Sequence, residues 1–340
     1  MNRQYGVIIG CFICSIALAG HAGLANETGL ANNTGSTNHT GLTNHAGLTN
    51  HAGLTNKEAA NNKPHSEKTL QQNSDSSLFV RKPVWEFGVG GAGFSGFDYP
   101  ASNDPNKVSL VLPYFIYRSQ VVRLADGGVG AVAFEKPRVK LDVSLGGSLN
   151  AESSGNAARE GMPDLDFLFE VGPRLNALLF NREYASGGRS TVRWLNSVRG
   201  VISTDFGSVD TRGFLFNSEL EWKRRNIFGS VFDLQLQLDA QWASQALQAY
   251  FYSVDEAFVD AERPAYRAKG GYLSTGVSAG ITYRVTPAIR IFTAVKHENY
   301  NNAANKLSPL FETDSSVSYA IALVWTIKQS KETLLVFDND

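Results

Sequence analysis

The sequence predicts an all-β fold: a transmembrane antiparallel β-barrel of about twelve strands, with a disordered N-terminal tail. Three observations lead there. Apolar and polar residues alternate with period two through the C-terminal part of the chain. The alternating runs are long enough to cross a bilayer at a tilt. Aromatic residues gather near the ends of those runs.

The alternation is explicit in Asp233–Trp242. Leu234, Leu236, Leu238, Ala240 and Trp242 point one way, and Asp233, Gln235, Gln237, Asp239 and Gln241 the other. The same pattern runs through Val139–Leu149, Phe167–Leu179, Leu273–Tyr283 and Val317–Ile327. A helix, with a period of 3.6, would scatter these residues around its surface. A soluble sandwich would turn the apolar face inward. Here the second face carries charges and amides with Gly and Ser, which suits a hydrated lumen, and the runs exceed the usual soluble strand. The aromatic girdle is expected from Trp85, Phe94, Tyr114, Tyr117, Trp194, Trp222, Trp242, Tyr283 and Trp325.

Composition narrows the function. The 340 residues are 43% hydrophobic and 19% charged, with a net charge of −1. That balance argues against a nucleic-acid partner, which calls for a basic excess. The two cysteines, Cys11 and Cys14, exclude a disulfide scaffold. No apolar run beyond the first 20 residues is long enough for a membrane-spanning helix.

In chain order, residues 1–22 read as a secretory signal: Arg3, the apolar run Val7 to Ala19, then small residues up to Ala25. Cys11 leaves too little apolar run before it for a lipoprotein site. Residues 23–80 are the tail and linker. They include six-residue units such as NHTGLT and NHAGLT, too few to bury a β-helical core. His39, His45 and His51 recur in it and are read as a solvated repeat rather than a metal site.

The barrel is expected over residues 81–327, with strands beginning near 84, 109, 120, 129, 138, 166, 191, 212, 231, 271, 288 and 316. Short turns fall at Ser119-Gln120, Glu135–Arg138, Asn181–Ser190, Arg225–Ser230 and Arg284–Ala288. The connections at the other end (95–108, 126–128, 150–165, 205–211, 244–270 and 298–315) are mostly longer. Short periplasmic turns and long outer loops are the outer-membrane pattern. Gln248–Val254 would break the even count, so it is assigned to the long loop as a hairpin or inward fold. Residues 328–340 form a C-terminal extension.

Several stretches are similar to a known family: Asp98-Tyr99-Pro100-Ala101-Ser102, Leu112-Pro113-Tyr114-Phe115-Ile116-Tyr117-Arg118, and Arg159-Glu160-Gly161-Met162-Pro163-Asp164-Leu165-Asp166 leading to Glu170-Val171-Gly172-Pro173. Later come Tyr250-Phe251-Tyr252-Ser253-Val254, Arg263-Pro264-Ala265-Tyr266 and Ser308-Pro309-Leu310. On these residues the chain resembles the MipA/OmpV family of outer-membrane proteins over roughly residues 85–327. The resemblance implies an outer-membrane barrel in contact with outer-membrane lipid. It further implies a scaffold that brings a lytic transglycosylase together with a bifunctional penicillin-binding protein in murein growth.

No catalytic, cofactor or metal site is expected. The barrel's one histidine, His297, could be grouped with Ser316 and Glu298 or Asp314, but no motif supports a hydrolase. Even spacing instead points Asp166, Glu170 and Arg174 into the lumen, with Arg193, Arg199, Glu219 and Glu221 also inward, as a charge network that braces the wall or lines a pore. The scaffold reading therefore stands first, a channel or solute-uptake barrel second, and an outer-membrane hydrolase third.

Overall fold

The computed structural model describes residues 79–118, 122–124, 129–131, 134–136 and 138–337. The expected signal segment, the histidine-containing repeats and the Ser119-Gln120 turn lie outside the described residues.

Ten long strands make the wall: β2 (Trp85–Phe97), β3 (Pro105–Arg118), β7 (Val139–Ser148), β8 (Phe167–Glu183), β9 (Arg189–Thr204), β10 (Val209–Arg224), β11 (Phe232–Ala243), β12 (Gly271–Arg284), β13 (Ile289–Asn299) and β14 (Ser315–Gln329). They run from 10 to 17 residues, enough to cross a bilayer when tilted. Three-residue segments β4 (Val122–Leu124), β5 (Val129–Ala131) and β6 (Phe134–Lys136) lie between β3 and β7. The sheet is antiparallel throughout, in the order β5-β4-β3-β2-β14-β13-β12-β11-β10-β9-β8-β7-β6. Pairing of β14 with β2 joins the chain's last long strand to its first. Curling then brings Cα atoms of β5 within 8 Å of β7 at the opposite edge. At the rim, Asn106 Nδ2 on β3 donates to the Asn150 carbonyl just past β7 at 3.1 Å.

The expected strands near 120 and 129 are thus short segments rather than full spans. Gly127-Gly128 and Gly130 interrupt the apolar alternation there, and glycine weakens a strand interior.

Outward faces are apolar. Val111, Phe115, Val171, Leu175, Trp194, Leu238, Val277, Ile281, Tyr319, Ile321 and Trp325 are all exposed. Lipid is the solvent that suits such a coat. Aromatic contacts mark both edges of it. Trp85 stacks on Phe115, and Phe232 on Tyr283, at one edge. Phe167 meets Phe206, and Trp242 meets Phe216 and Tyr272, at the other.

Two residues expected in the girdle face the lumen instead. Phe94 pairs with Ala320 on the inward side. Tyr114 bonds Thr326 Oγ1 across β2 at 2.6 Å. Gly88 makes room for that ring, since a Cβ there would lie 2.7 Å from Tyr114 Cε1. The lumen is accordingly two-sided. Charges and amides dominate on β7 to β12 and on the loop-end half of β13, where Lys296 and Glu298 lie. On β13, β14, β2 and β3, Phe292, Ala322, Val324, Ala92 and Tyr114 form an apolar cluster.

Tight turns close one end. Tyr184–Gly188 uses Gly187 and Gly188 at φ +84° and +79°. The turn after β10 uses Asn226, Phe228 and Gly229, also at positive φ. At the other end, residues 98–104, 149–166, 244–270 and 300–314 are long connections. The long loop does fold inward, but as a helix, α1 (Gln245–Tyr252), with a bridge from Val254 to Tyr266. Its i, i+4 spacing puts Leu247 and Phe251 on one buried side, where a strand would have alternated them with exposed residues. Finally β1 (Phe79–Pro83) pairs with β15 (Thr333–Phe337), so both ends of the described chain leave the barrel together at the short-turn end. The extension expected over 328–340 thus begins inside β14 and continues as a strand.

Candidate functional site

Alternation alone decides which charges enter the lumen, and the strand register decides which of them meet. On β7 and β8, Asp142 and Arg174 are register partners. Arg174 donates to both carboxylate oxygens, Nε to Oδ1 at 2.9 Å and Nη2 to Oδ2 at 3.1 Å. Lys140 reaches the same carboxylate at 3.1 Å. One step around the wall, Arg199 on β9 meets Glu170 on β8 at 3.0 Å. Arg193 meets Glu221 on β10 at 3.5 Å. Glu219 accepts from Gln237 Nε2 at 2.6 Å, and Gln237 Oε1 accepts from Ser278 at 2.9 Å. Lys296 bridges Asp239 at 3.5 Å and Glu298 at 3.0 Å. Six of the seven charges expected inside therefore lie in one belt. Asp166 stands apart at the outer rim, 4.0 Å from Arg212, with its backbone N–H on Tyr250 Oη.

The belt holds members that the expected set omitted: Asp142, Lys140, Gln237, Asp239, Lys296 and Glu298. Lys140, Asp142, Gln237 and Asp239 each sit between apolar residues, so alternation marks them as inward; Lys296 and Glu298 flank His297 and follow by parity along β13. Only the register shows that each has a partner. Nearer the short-turn end, Arg118 pairs with Glu86 at 2.6 Å, both almost wholly buried, and also donates to the Pro83 carbonyl. Asp233 pairs with Arg284 and accepts from the Asn226 N–H. Buried charges are tolerable where each has an opposite partner and further hydrogen bonds.

Above the belt the outer connections form a cap. Its core joins Leu247, Phe251 and Tyr252 of α1 to Tyr99, Leu165, Val254 and Leu310. Ser244 caps the helix: its Oγ accepts the Leu247 N–H at 3.4 Å and the N–H of β10's Phe214 at 3.0 Å, while its own N–H donates to the Phe214 carbonyl at 2.9 Å. Gly213 and Gly270 leave space for this seat; a Cβ on Gly270 would lie 2.8 Å from Gln245 N. Tyr252 is fully buried. Its hydroxyl donates to the Pro100 carbonyl at 2.7 Å, and its carbonyl accepts from Ser308 at 2.7 Å. Asn305 donates to Gln248 Oε1 and the Lys269 carbonyl. Arg159 donates to the Phe251 and Pro163 carbonyls and to Ser153 Oγ.

Burial pushes the Tyr252 and Tyr99 hydroxyls far above the ordinary phenol range, so they stay neutral donors. Burial also lowers the Arg159 guanidinium from its usual value. Outside the cap, a cleft of about 1570 Å³ runs between α1 and the rim, with Asp166, Arg212, Tyr250, Glu256 and Arg267 among its lining.

His297 does not join a catalytic set. It lies on the exposed outward face, in register with Val277 and Val317. Glu298 and Ser316 point inward, and Ser316 bonds Tyr300. Successive strand residues face opposite sides, which separates His297 from both. Among the described residues there is no group of three or more His, Cys, Asp or Glu that could hold a metal ion.

Solved structures with a related outline include a bacterial polysaccharide outer-membrane secretin, 9% identical with TM-score 0.36, covering 72% of this chain and 99% of that one. An outer-membrane channel from Pseudomonas putida F1 is 12% identical with TM-score 0.33, covering 74% and 98%. The Pseudomonas putida toluene transporter TodX is 7% identical with TM-score 0.29, covering 71% and 89%. No curated protein matches the chain. The family model described as MltA-interacting protein MipA matches residues 89–327, from the first long strand to the last. That span takes in nearly the whole barrel, and the chain belongs to the MipA family.

Proposed function

We propose that this outer-membrane barrel is a closed, non-enzymatic scaffold that links the outer membrane to enzymes that synthesise and hydrolyse murein. The observation that carries the reading is the closed outer mouth: α1 and its loop sit over the lumen with Tyr252 fully buried. A knit cap above a belt of ion pairs supports a lumen shut to solutes rather than an open pore. The family's description as MltA-interacting supports a lytic transglycosylase as partner, and a bifunctional penicillin-binding protein is the second partner proposed.

Docking falls to the periplasmic end. The short turns there offer little of the roughly 800 Å² that a standard interface buries on each partner. The β1–β15 ribbon, with residues 23–78 preceding it, supplies the missing surface. Export through a cleaved signal over residues 1–22 places the tail in the periplasm.

Two measurements test the proposal. The detergent-solubilised protein should enrich a lytic transglycosylase from a membrane extract over an unrelated barrel, and deletion of residues 23–78 and 330–340 should abolish that enrichment. In planar bilayers the intact barrel should stay silent over many insertions. Steady conductance, or no enrichment, would overturn the scaffold reading.

A further inference from the structure

At the periplasmic end of β8, β9 and β10 the outward face changes character within one step of the register. Phe180, Val192 and Trp222 are partners in one row, and Arg182, Ser190 and Arg224 are partners in the next. The rows are about 7 Å apart along the strands. The apolar row faces acyl chains. The arginine row stands where the strands leave them, at headgroup depth.

Tyr184 organises the arginines. The Arg224 guanidinium carbon lies 3.7 Å from the centre of its ring, and that of Arg182 lies 5.2 Å away. The Tyr184 hydroxyl donates to Ser190 Oγ at 3.3 Å, which fixes the ring. Two turns hold the group in place. Arg225 N–H bonds the Arg189 carbonyl at 2.8 Å. Gly188 packs so closely on the Arg225 carbonyl that a Cβ would collide with it. Among the described residues neither Arg182 nor Arg224 makes an ion pair, and Arg224 reaches only the Gly187 carbonyl, at 3.5 Å. This contrasts with the lumen, where Arg118, Arg174, Arg193, Arg199 and Arg284 each meet a carboxylate.

Two oriented cations on an aromatic ring, below an apolar row, match an anion that carries hydrocarbon chains. We propose that Arg182, Tyr184 and Arg224 form a binding site for the phosphate of a glycerophospholipid in the periplasmic leaflet, with its acyl chains along Phe180, Val192 and Trp222. The site would tie the barrel's periplasmic end to the headgroup plane.

The test uses the full-length protein, delipidated in a neutral detergent and examined by native mass spectrometry. Phosphatidylglycerol should be retained in a one-to-one complex, and diacylglycerol with the same chains should not. Arg182→Gln with Arg224→Gln should lower phosphatidylglycerol retention roughly ten-fold or more, with the heat-modifiable gel shift of the folded barrel unchanged. Arg182→Lys with Arg224→Lys should restore much of it. Equal retention by the glutamine variant, or equal retention of diacylglycerol, overturns the site. Displacement of the lipid by inorganic phosphate at comparable concentration overturns the lipid as its occupant. An anionic peptide that binds while phosphatidylglycerol does not would likewise replace the lipid with a protein partner.

Discussion

Glu86 and Arg118 sit on adjacent strands at the short-turn end, 2.6 Å apart and almost wholly out of solvent. Removing one partner leaves the other charge buried and uncompensated. Glu86→Gln should destabilise the barrel by about 3–5 kcal/mol, seen as a lower temperature for loss of the folded gel mobility. Double replacement by well-packed apolar residues should recover much of that loss. Two aspartates at the outer end behave differently. Asp205 accepts the Gly207 and Ser208 N–H groups, and Asp260 accepts those of Glu262 and Arg263. These bonds favour the ionised form and hold both carboxyls below the ordinary aspartate range. Both turns are therefore fully formed above that range and loosen as pH falls through the lowered values. The protection of the Gly207 and Ser208 amides, measured as exchange relative to the intrinsic rate at each pH, should hold at neutral pH and fall only below the ordinary aspartate range.

At the scale of the element, α1 matters most. Eight residues do not hold a helix in water, so this one depends on its cap, on Ser244 and on the packing of Leu247, Phe251 and Tyr252. Its seat is a bulge in β10 at Gly213, with φ +89°. A side chain there is strained and would meet Ser244 Oγ. Gly213→Val should loosen α1 without opening the strand ladder, detected as proteolysis within 244–270. Replacing residues 245–268 with a short polar linker should go further and give conductance where the intact protein is silent. A barrel that stays silent after this deletion would locate the closure in the ion-pair belt.

Across the whole molecule, topology sets direction. Short turns and both described chain ends lie at one end, long connections at the other. Single cysteines report it. Leu307 and Phe228 are 88% and 87% exposed at opposite ends. In a background with Cys11→Ser and Cys14→Ser, Leu307→Cys should react with an impermeant maleimide on intact cells. Phe228→Cys should react only after the outer membrane is opened. The reverse pattern would invert the barrel and move the phosphate site to the outer leaflet.

The apolar–polar alternation by itself determined the fold class, the outward coat and the inward position of most of the charges. Alternation is a property of single strands, and each strand carries its own record of it. It also carries the belt in unpaired form: alternation turns Glu170, Arg174, Arg193, Arg199, Glu219 and Glu221 inward without naming their partners. Only the tertiary structure decided who meets whom, because ion pairs such as Arg174–Asp142 and Lys296–Asp239 depend on register between segments distant in sequence. It likewise decided that Tyr114 turns inward over Gly88 and that residues 245–252 form a helix. Those outcomes come from packing against neighbours that no local pattern names, where burial of Leu247, Phe251 and Tyr252 under the outer loops outweighs intrinsic preference.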